Sequence, residues 1–170
     1  MDGTKTNKNI NARSARAKAE HYCAYQERSQ QEVRDKLYEW GLKTDEVENT
    51  ISGLIEDNFL NEERFSKAYA LGKFRQKGWG KGKIKQGLKF KRVPDVLIKK
   101  ALAAIPGDEY LAMLQKVVSK KAKLITEKDP FKRDYKLRQY AMSRGYESDL
   151  ISDLLREMTS FCGSLGRQPS

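Results

Sequence analysis

Residues 29–60 carry the sequence SQQEVRDKLYEWGLKTDEVENTISGLIEDNFL, which contains the start and end signals of two helices. Ser29 and Glu32 have the spacing of a capping box, and Gly41 is the residue type that most often ends a helix in a left-handed conformation. Thr44, followed by two acidic residues, predicts the N-cap of the second helix. The apolar residues between these signals recur about every 3.6 positions, which is typical of amphipathic helices.

The apolar positions of this stretch recur twice more along the chain. Five columns of apolar residues share the same two offsets, 51 residues and then 53 residues. The columns are Val33/Ile84/Leu137, Leu37/Leu88/Ala141, Val47/Ile98/Ile151, Ile51/Leu102/Leu155 and Leu54/Ile105/Met158. Because a unit of about 50 residues cannot bury its apolar face alone, the pattern predicts an all-α fold, an elongated array of three tandem three-helix repeats. A single irregular helical bundle is the alternative.

The boundary signals divide the chain into five predicted segments. They are a disordered N-terminal tail (1–11), repeat 1 (12–60), a basic repeat 2 (61–106), repeat 3 (107–160) and a disordered C-terminal tail (161–170). Hydrophobic residues make up only 38% of the sequence. This low fraction is consistent with three small units that share thin interfaces instead of one large core.

The charge of the chain is concentrated in one place. The 170 residues include 34 Lys and Arg and 23 Asp and Glu, for a net charge of +11. Residues 64–94, here called the basic segment, contain eleven basic residues and no acidic residue, whereas residues 19–63 are acidic. Such a run favours a polyanion or an acidic protein groove as the partner. A solvated basic face without a partner is the alternative.

Composition also excludes several classes of protein. No apolar run approaches the roughly 20 residues of a membrane span, and the N-terminus lacks the apolar region of a secretory signal. We therefore expect a cytoplasmic protein. Cys23 and Cys162 lie 139 positions apart and His21 is the single histidine, so the sequence predicts no disulfide, no zinc site and no His-centred catalysis. The carboxylates at helix starts are explained by the helix dipole, and we predict no metal, no cofactor and no enzymatic activity.

Residues 78–83 read GWGKGK and are the most conspicuous local motif. A phosphate-binding P-loop would need Gly-x-x-x-x-Gly-Lys-Ser/Thr after a strand, and this spacing differs. We interpret the motif as a flexible hinge between two helices, whose glycine amides add affinity for anions. Trp79 is either packed on the core or exposed as a stacking residue. The predicted contacts with the partner are Lys73, Arg75, Lys77, Trp79, Lys81, Lys83, Lys85, Lys89, Lys91 and Arg92.

Three stretches of the chain resemble the RecX family, the small regulatory proteins of the RecA recombinase. They are residues 19–41 (AEHYCAYQERSQQEVRDKLYEWG), 58–69 (NFLNEERFSKAY) and 75–88 (RQKGWGKGKIKQGL). The likeness is strong over residues 12–105 and weaker over 106–158. The chain departs from the family pattern at Gly87, where an acidic residue is common, and at Arg92, where a helix-ending glycine is common.

The resemblance implies a non-catalytic, all-α protein that binds along the groove of the RecA–DNA filament. It would thereby inhibit or modulate RecA in recombination, DNA repair and the SOS response, with single- or double-stranded DNA as a further partner. It adds Arg64, Phe65 and Tyr69 to the candidate contacts, although Phe65 fits a core position equally well and Arg64 fits a partner of nearby acids. We expect a monomer without membrane association. The alternative function is a stand-alone nucleic-acid-binding protein that uses residues 64–94.

Overall fold

The computed structural model describes residues 11–164, with side chains through Phe161, and within this range the chain forms nine α-helices and no strand. The helices are α1 (Ala12–Tyr25), α2 (Gln30–Glu39), α3 (Thr44–Glu56), α4 (Glu62–Lys77), α5 (Lys81–Phe90), α6 (Asp95–Ala103), α7 (Gly107–Ala122), α8 (Pro130–Ser143) and α9 (Ser148–Ser164). The predicted all-α fold is confirmed. Helix α9 extends four residues into the segment 161–170 that was predicted as a tail. Residues 1–10 and 165–170 of the two predicted tails lie outside the described residues.

Capping side chains stand at several helix starts, including the predicted cap at Ser29. Ser29 and Glu32 form both hydrogen bonds of the capping box of α2. The side chains of Asn61 and Asp129 each accept a hydrogen bond from a backbone N–H three residues on, both at 2.9 Å. The prediction for α3 was wrong by one residue, since Lys43 is its N-cap and Thr44 is already helical. There the Glu46 carboxylate accepts a hydrogen bond from the Lys43 N–H at 2.9 Å, so the acidic first turn replaces the hydroxyl cap.

The second helix of each repeat ends in the same way. Gly41, Arg92 and Gly145 have positive φ angles of 90°, 57° and 94°. The N–H of each of these residues donates to the carbonyl of the residue three positions earlier. The N–H of the residue that follows it donates to a carbonyl five positions earlier in the chain. This is the hydrogen-bond pair of a Schellman motif. Arg92 therefore adopts the conformation that glycine has in the other two repeats.

The repeat columns coincide with the buried side chains. Thirteen of their fifteen residues are buried, and only Leu102 and Met158 are half-buried. With the repeated helix ends, this confirms three tandem three-helix repeats, α1–α3, α4–α6 and α7–α9.

The described residues divide into two compact units whose boundary does not follow the repeats. The first unit comprises the residues through Ala68 together with Leu88–Lys100, and the second comprises Tyr69–Gly87 together with the residues from Ala101. The core of the first unit includes Val33, Leu37, Val47, Ile51 and Leu54. In the second unit the ring centroid of Tyr110 lies 5.9 Å from that of Phe74 and 5.2 Å from that of Tyr146. None of the helices in residues 11–164 combines the length and apolar character needed to cross a membrane.

Candidate partner-binding surface

The backbone amides of the glycine-rich segment are occupied by other parts of the second unit. The Gly80 N–H donates to the carbonyl of Arg144 at 2.8 Å, and the Gly82 N–H donates to the carbonyl of Gly145 at 2.9 Å. The Lys81 N–H donates to the hydroxyl of Tyr110 at 3.0 Å. These amides cannot also bind an anion, so the prediction of an anion-binding glycine hinge was wrong.

The glycines allow two backbone segments to approach each other closely. A Cβ atom at Gly80 would lie 2.3 Å from the carbonyl carbon of Gly145. At this distance the two atoms would overlap, so no residue with a side chain fits at position 80. Gly78 has a φ of 63°. Its carbonyl accepts a hydrogen bond from the hydroxyl of Tyr146 at 3.0 Å. The motif therefore joins the α4–α5 connection to the turn between α8 and α9.

Two buried tyrosines complete this junction. The Tyr110 hydroxyl donates to the Glu147 carboxylate at 2.6 Å. Burial, together with this carboxylate, raises the pKa of Tyr110 far above its ordinary value. Burial likewise raises the pKa of Tyr146 to about 12. Both hydroxyls therefore stay protonated at neutral pH and act as structural donors. The sequence pattern did not predict this junction, because its hydrogen-bonded partners lie 29 to 68 residues apart in the sequence.

Two lysines lie against the tryptophan of the motif. The Nζ atoms of Lys73 and Lys83 lie 5.2 Å and 4.8 Å from the ring centroid of Trp79, and Lys73 Nζ is also 5.4 Å from that of Tyr69. We call Tyr69, Lys73, Trp79 and Lys83 the lysine–tryptophan cluster. Trp79 is half-buried, so neither of the two predicted environments describes it fully. The cluster presents ammonium groups beside aromatic faces, a combination that binds phosphates or carboxylates.

Glycine at position 87 is explained by the same cluster. A Cβ atom at Gly87 would lie 2.2 Å from the hydroxyl oxygen of Tyr69. The departure from the family pattern at this position therefore makes room for the Tyr69 ring beside α5.

The other predicted contacts of the second unit lie close to this cluster in the sequence. Lys77 and Lys85 are exposed, and neither forms an ion pair with any side chain that the structure describes. Arg75 pairs with Glu109 at 3.4 Å, where both side chains are about half exposed. Lys81 Nζ lies 4.8 Å from the ring centroid of Tyr110. Lys77 and Lys85 are thus the most available cations of this set.

Five predicted contacts belong to the first unit, and three of them have acidic partners there. Arg64 pairs with Glu27 and also donates to Asn58 and to the Phe59 carbonyl after α3. Lys91 pairs with Glu32 at 2.6 Å, and Lys89 lies 3.8 Å from Asp95. Arg92 is exposed. Phe65 is only 5% exposed, as expected of a core residue. The contacts of Arg64 are those of a structural residue.

Two glutamates beside these residues have shifted pKa values. Burial would raise the pKa of Glu32, but hydrogen bonds from Lys91 and Ser29 outweigh it and lower that pKa below its ordinary value. Burial raises the pKa of Glu62, whose Oε1 is buried without a hydrogen-bond partner among the described residues. Across residues 11–164 no group of three or more His, Cys, Asp or Glu side chains is placed to hold a metal ion.

The three repeats match three domains of one protein family. Residues 15–54, 61–102 and 108–155 match the first, second and third three-helix domains of RecX. The chain is 31% identical over 138 residues to the regulatory protein RecX of Haemophilus influenzae (strain PittGG), covering 81% of this chain and 90% of that protein. It is 30% identical over 135 residues to the regulatory protein RecX of Clostridium perfringens (strain SM101 / Type A), covering 78% of this chain. That match spans only 63% of the length of the Clostridium protein.

The fold is also found in a solved structure. The crystal structure of RecX from Lactobacillus salivarius superposes with a TM-score of 0.80 at 22% sequence identity. The match covers 87% of this chain and 96% of that one. At this identity the likeness establishes the three-repeat fold and no contact residue.

Proposed function

Because this chain belongs to the RecX family of regulatory proteins, we propose that it regulates the RecA recombinase by binding the RecA–DNA filament. In this proposal it is a non-catalytic, cytoplasmic protein that inhibits RecA activities in recombination, DNA repair and the SOS response. The filament offers both DNA phosphates and protein carboxylates, which are the groups that lysine-rich surfaces bind.

The observation that carries the proposal is the lysine–tryptophan cluster within a segment that has no carboxylate. Residues 64–94 contain no Asp or Glu, so the positive charge around Trp79 is not neutralised by neighbours in sequence. Lys77 and Lys85 flank the cluster and remain exposed. The surface is therefore positive in the free protein and has aromatic faces that fix the geometry of a bound group.

A charge-reversal variant tests the proposal. Converting Lys81, Lys83 and Lys85 to Glu should leave helicity intact and abolish inhibition of RecA ATP hydrolysis on single-stranded DNA. Arg13, Lys43 and Lys99 converted to Glu are the matched control, since these three are exposed and outside the basic segment. Full inhibition of RecA by the first variant would show that these three lysines do not form the binding site. Absence of any effect of the unaltered protein on RecA would reject the function itself.

The stability of the variant must be checked, because Lys81 lies against Tyr110 in the second unit. Unfolding in urea reports this directly. If the triple variant unfolds at lower urea, the pair Lys77→Glu and Lys85→Glu replaces it. Both of those side chains are exposed and have no described ion partner, so the pair reverses charge without disturbing packing.

A second candidate function is stand-alone binding of nucleic acid. It is favoured by the two lysines beside Trp79, because aromatic rings within a positive surface are typical of proteins that bind single strands. Direct binding of an oligonucleotide without RecA separates this function from filament regulation.

A further inference from the structure

Helices α7 and α8 carry a second lysine-rich surface that lies entirely in the second unit. Residues 116–140 contain nine basic and three acidic residues, although residues 95–170 as a whole have only a small positive charge. A groove of about 550 Å³ runs between the end of α7 and α8. Its lining includes Lys121, Leu124, Ile125, Tyr135, Lys136 and Tyr140.

Large apolar side chains stand out from this surface. Phe131 is 82% exposed, Leu124 is 70% exposed and Tyr135 is 58% exposed. Phe131 and Tyr135 are four residues apart on α8, so they lie on the same face of the helix. Lys132 and Lys136 are also four apart, one position further round the helix. Helix α8 thus presents two exposed rings, with two lysines about 100° further round the helix.

Each of the three carboxylates of this region already has a partner, and only one of these partners is a lysine side chain. Asp129 caps α8 and Glu127 lies 3.6 Å from Lys136. Asp134 lies 3.9 Å from Arg138. Six lysines of residues 116–140 form no ion pair with a described side chain: the half-buried Lys121 and the exposed Lys116, Lys120, Lys123, Lys128 and Lys132.

The basic residues that frame the groove are held by backbone and ring contacts. Arg133 donates to the carbonyls of Ala122 and Ile125 at 2.6 Å and 3.0 Å, which fixes the end of α7 against α8. Lys121 Nζ lies 4.9 Å from the ring centroid of Tyr140. The groove is therefore a formed feature of the fold, and of its two lining lysines Lys121 lies against a ring and Lys136 pairs with Glu127.

We propose that this α7–α8 surface binds single-stranded nucleic acid, with phosphates on the lysines and bases stacked on Phe131 and Tyr135. Exposed rings suit unpaired bases, whose faces are available, whereas a duplex hides the faces of its bases. An acidic peptide would pair with the lysines but would leave the exposed rings of Phe131 and Tyr135 without partners. The inference does not rest on RecA regulation, because it concerns the protein and a nucleic acid alone.

Fluorescence anisotropy of a labelled oligo-dT with the full chain, in the absence of RecA, tests the inference. Tyr135→Ala and Phe131→Ala should each raise the Kd by about 5- to 100-fold, the range expected for loss of one stacked base. Tyr135→Phe keeps the ring and should bind as the unaltered protein does. Tyr25→Ala is the matched control, since Tyr25 is 79% exposed and lies in repeat 1. The variants remove exposed side chains and should fold normally.

Photo-crosslinking locates the contact independently of affinity. An oligonucleotide with 5-iododeoxyuridine should crosslink to peptides from residues 130–143. The inference is overturned if both ring variants bind normally and crosslinks fall only in the basic segment. It is also overturned if duplex DNA or an acidic peptide is bound with the same dependence on Tyr135. The inference is equally overturned if sedimentation shows that the unaltered protein is a dimer, that the ring variants are monomers, and that oligo-dT binding is unchanged. That result would identify a self-association surface.

Discussion

Gly80 and Gly72 are two glycines of the second unit with opposite surroundings. A Cβ atom at Gly80 would meet the backbone of Gly145 at 2.3 Å, whereas none of the described atoms lies within 4 Å of a Cβ atom at Gly72. Gly80→Ala should therefore break the hydrogen bonds between the two segments and cost at least about 2 kcal/mol of unfolding free energy. Gly72→Ala, inside α4, should stabilise the protein by about 0.5–1 kcal/mol. Urea unfolding of the two variants compares them directly, and equal stabilities would contradict the close approach.

Arg92 is one of two described non-glycine residues in a left-handed conformation, the other being Asn58. Its φ of 57° matches the helix-ending role of Gly41 and Gly145. A non-glycine residue in this conformation destabilises the fold by about 1 kcal/mol. Glycine avoids this strain, but it also gives the unfolded chain more conformational entropy, which offsets part of the gain. We expect Arg92→Gly to raise the unfolding free energy by up to about 1 kcal/mol, measured in urea. Arg92→Ala keeps the strain and removes the charge, so a similar gain in that variant would contradict the backbone explanation.

The contact of α2 with the basic segment depends on pH. The pKa of Glu32 is lowered in the folded protein, so this carboxylate stabilises the fold fully above its ordinary pKa. That stabilisation is lost as the pH falls through the lowered pKa. Glu32→Gln should destabilise the protein by about 1–2 kcal/mol at pH 7, and the difference should shrink in acid. Thermal unfolding at several pH values measures it.

A control on the same helix separates this ion pair from general surface charge. Glu39 pairs with Lys36, but its side chain is 65% exposed. Glu39→Gln should change stability by less than about 0.5 kcal/mol. A difference for Glu32→Gln that stays constant down to low pH would contradict the role of its charge.

Elements were predictable from the sequence where their determinants are local. The capping box at Ser29 and Glu32, the helix-ending Gly41 and the five apolar columns act within a few residues or repeat along the chain, and together they predicted the three repeats. The junction of Gly80 with Arg144 was not predictable, because it joins positions 64 residues apart whose types suggest flexibility equally well. The basic segment was found by its charge alone. That signal did not show that acidic residues distant in sequence pair with Arg64 and Lys91.

At the scale of the whole molecule, positive charge is found on two surfaces with different chemistry. The basic segment was evident from its lack of carboxylates. The α7–α8 surface was hidden in the sequence because its three carboxylates reduce the net charge, and the structure shows each of them bound to a partner. Since both surfaces combine lysines with aromatic rings, we expect oligonucleotide binding by the whole chain to depend on both.

Salt dependence distinguishes what each surface contributes. Between about 50 and 200 mM salt, log Kd for oligo-dT should rise linearly with log salt, with a slope of about 0.7 per phosphate contact. The Lys81, Lys83 and Lys85 charge reversal should lower that slope by about 2. Tyr135→Ala should raise the Kd at every salt concentration without changing the slope, because stacking releases no counterions. An equal loss of slope in both variants would contradict the division between phosphate and base contacts.

The same titration separates the two candidate functions. RecA ATP hydrolysis is followed over this salt range with and without the protein, with RecA alone as the control at each concentration. If the protein regulates the filament through protein contacts as well as phosphates, inhibition should persist at salt concentrations that abolish binding to free oligo-dT. If it acts only as a nucleic-acid-binding protein, inhibition and oligo-dT binding should be lost together, since the same phosphate contacts then account for both.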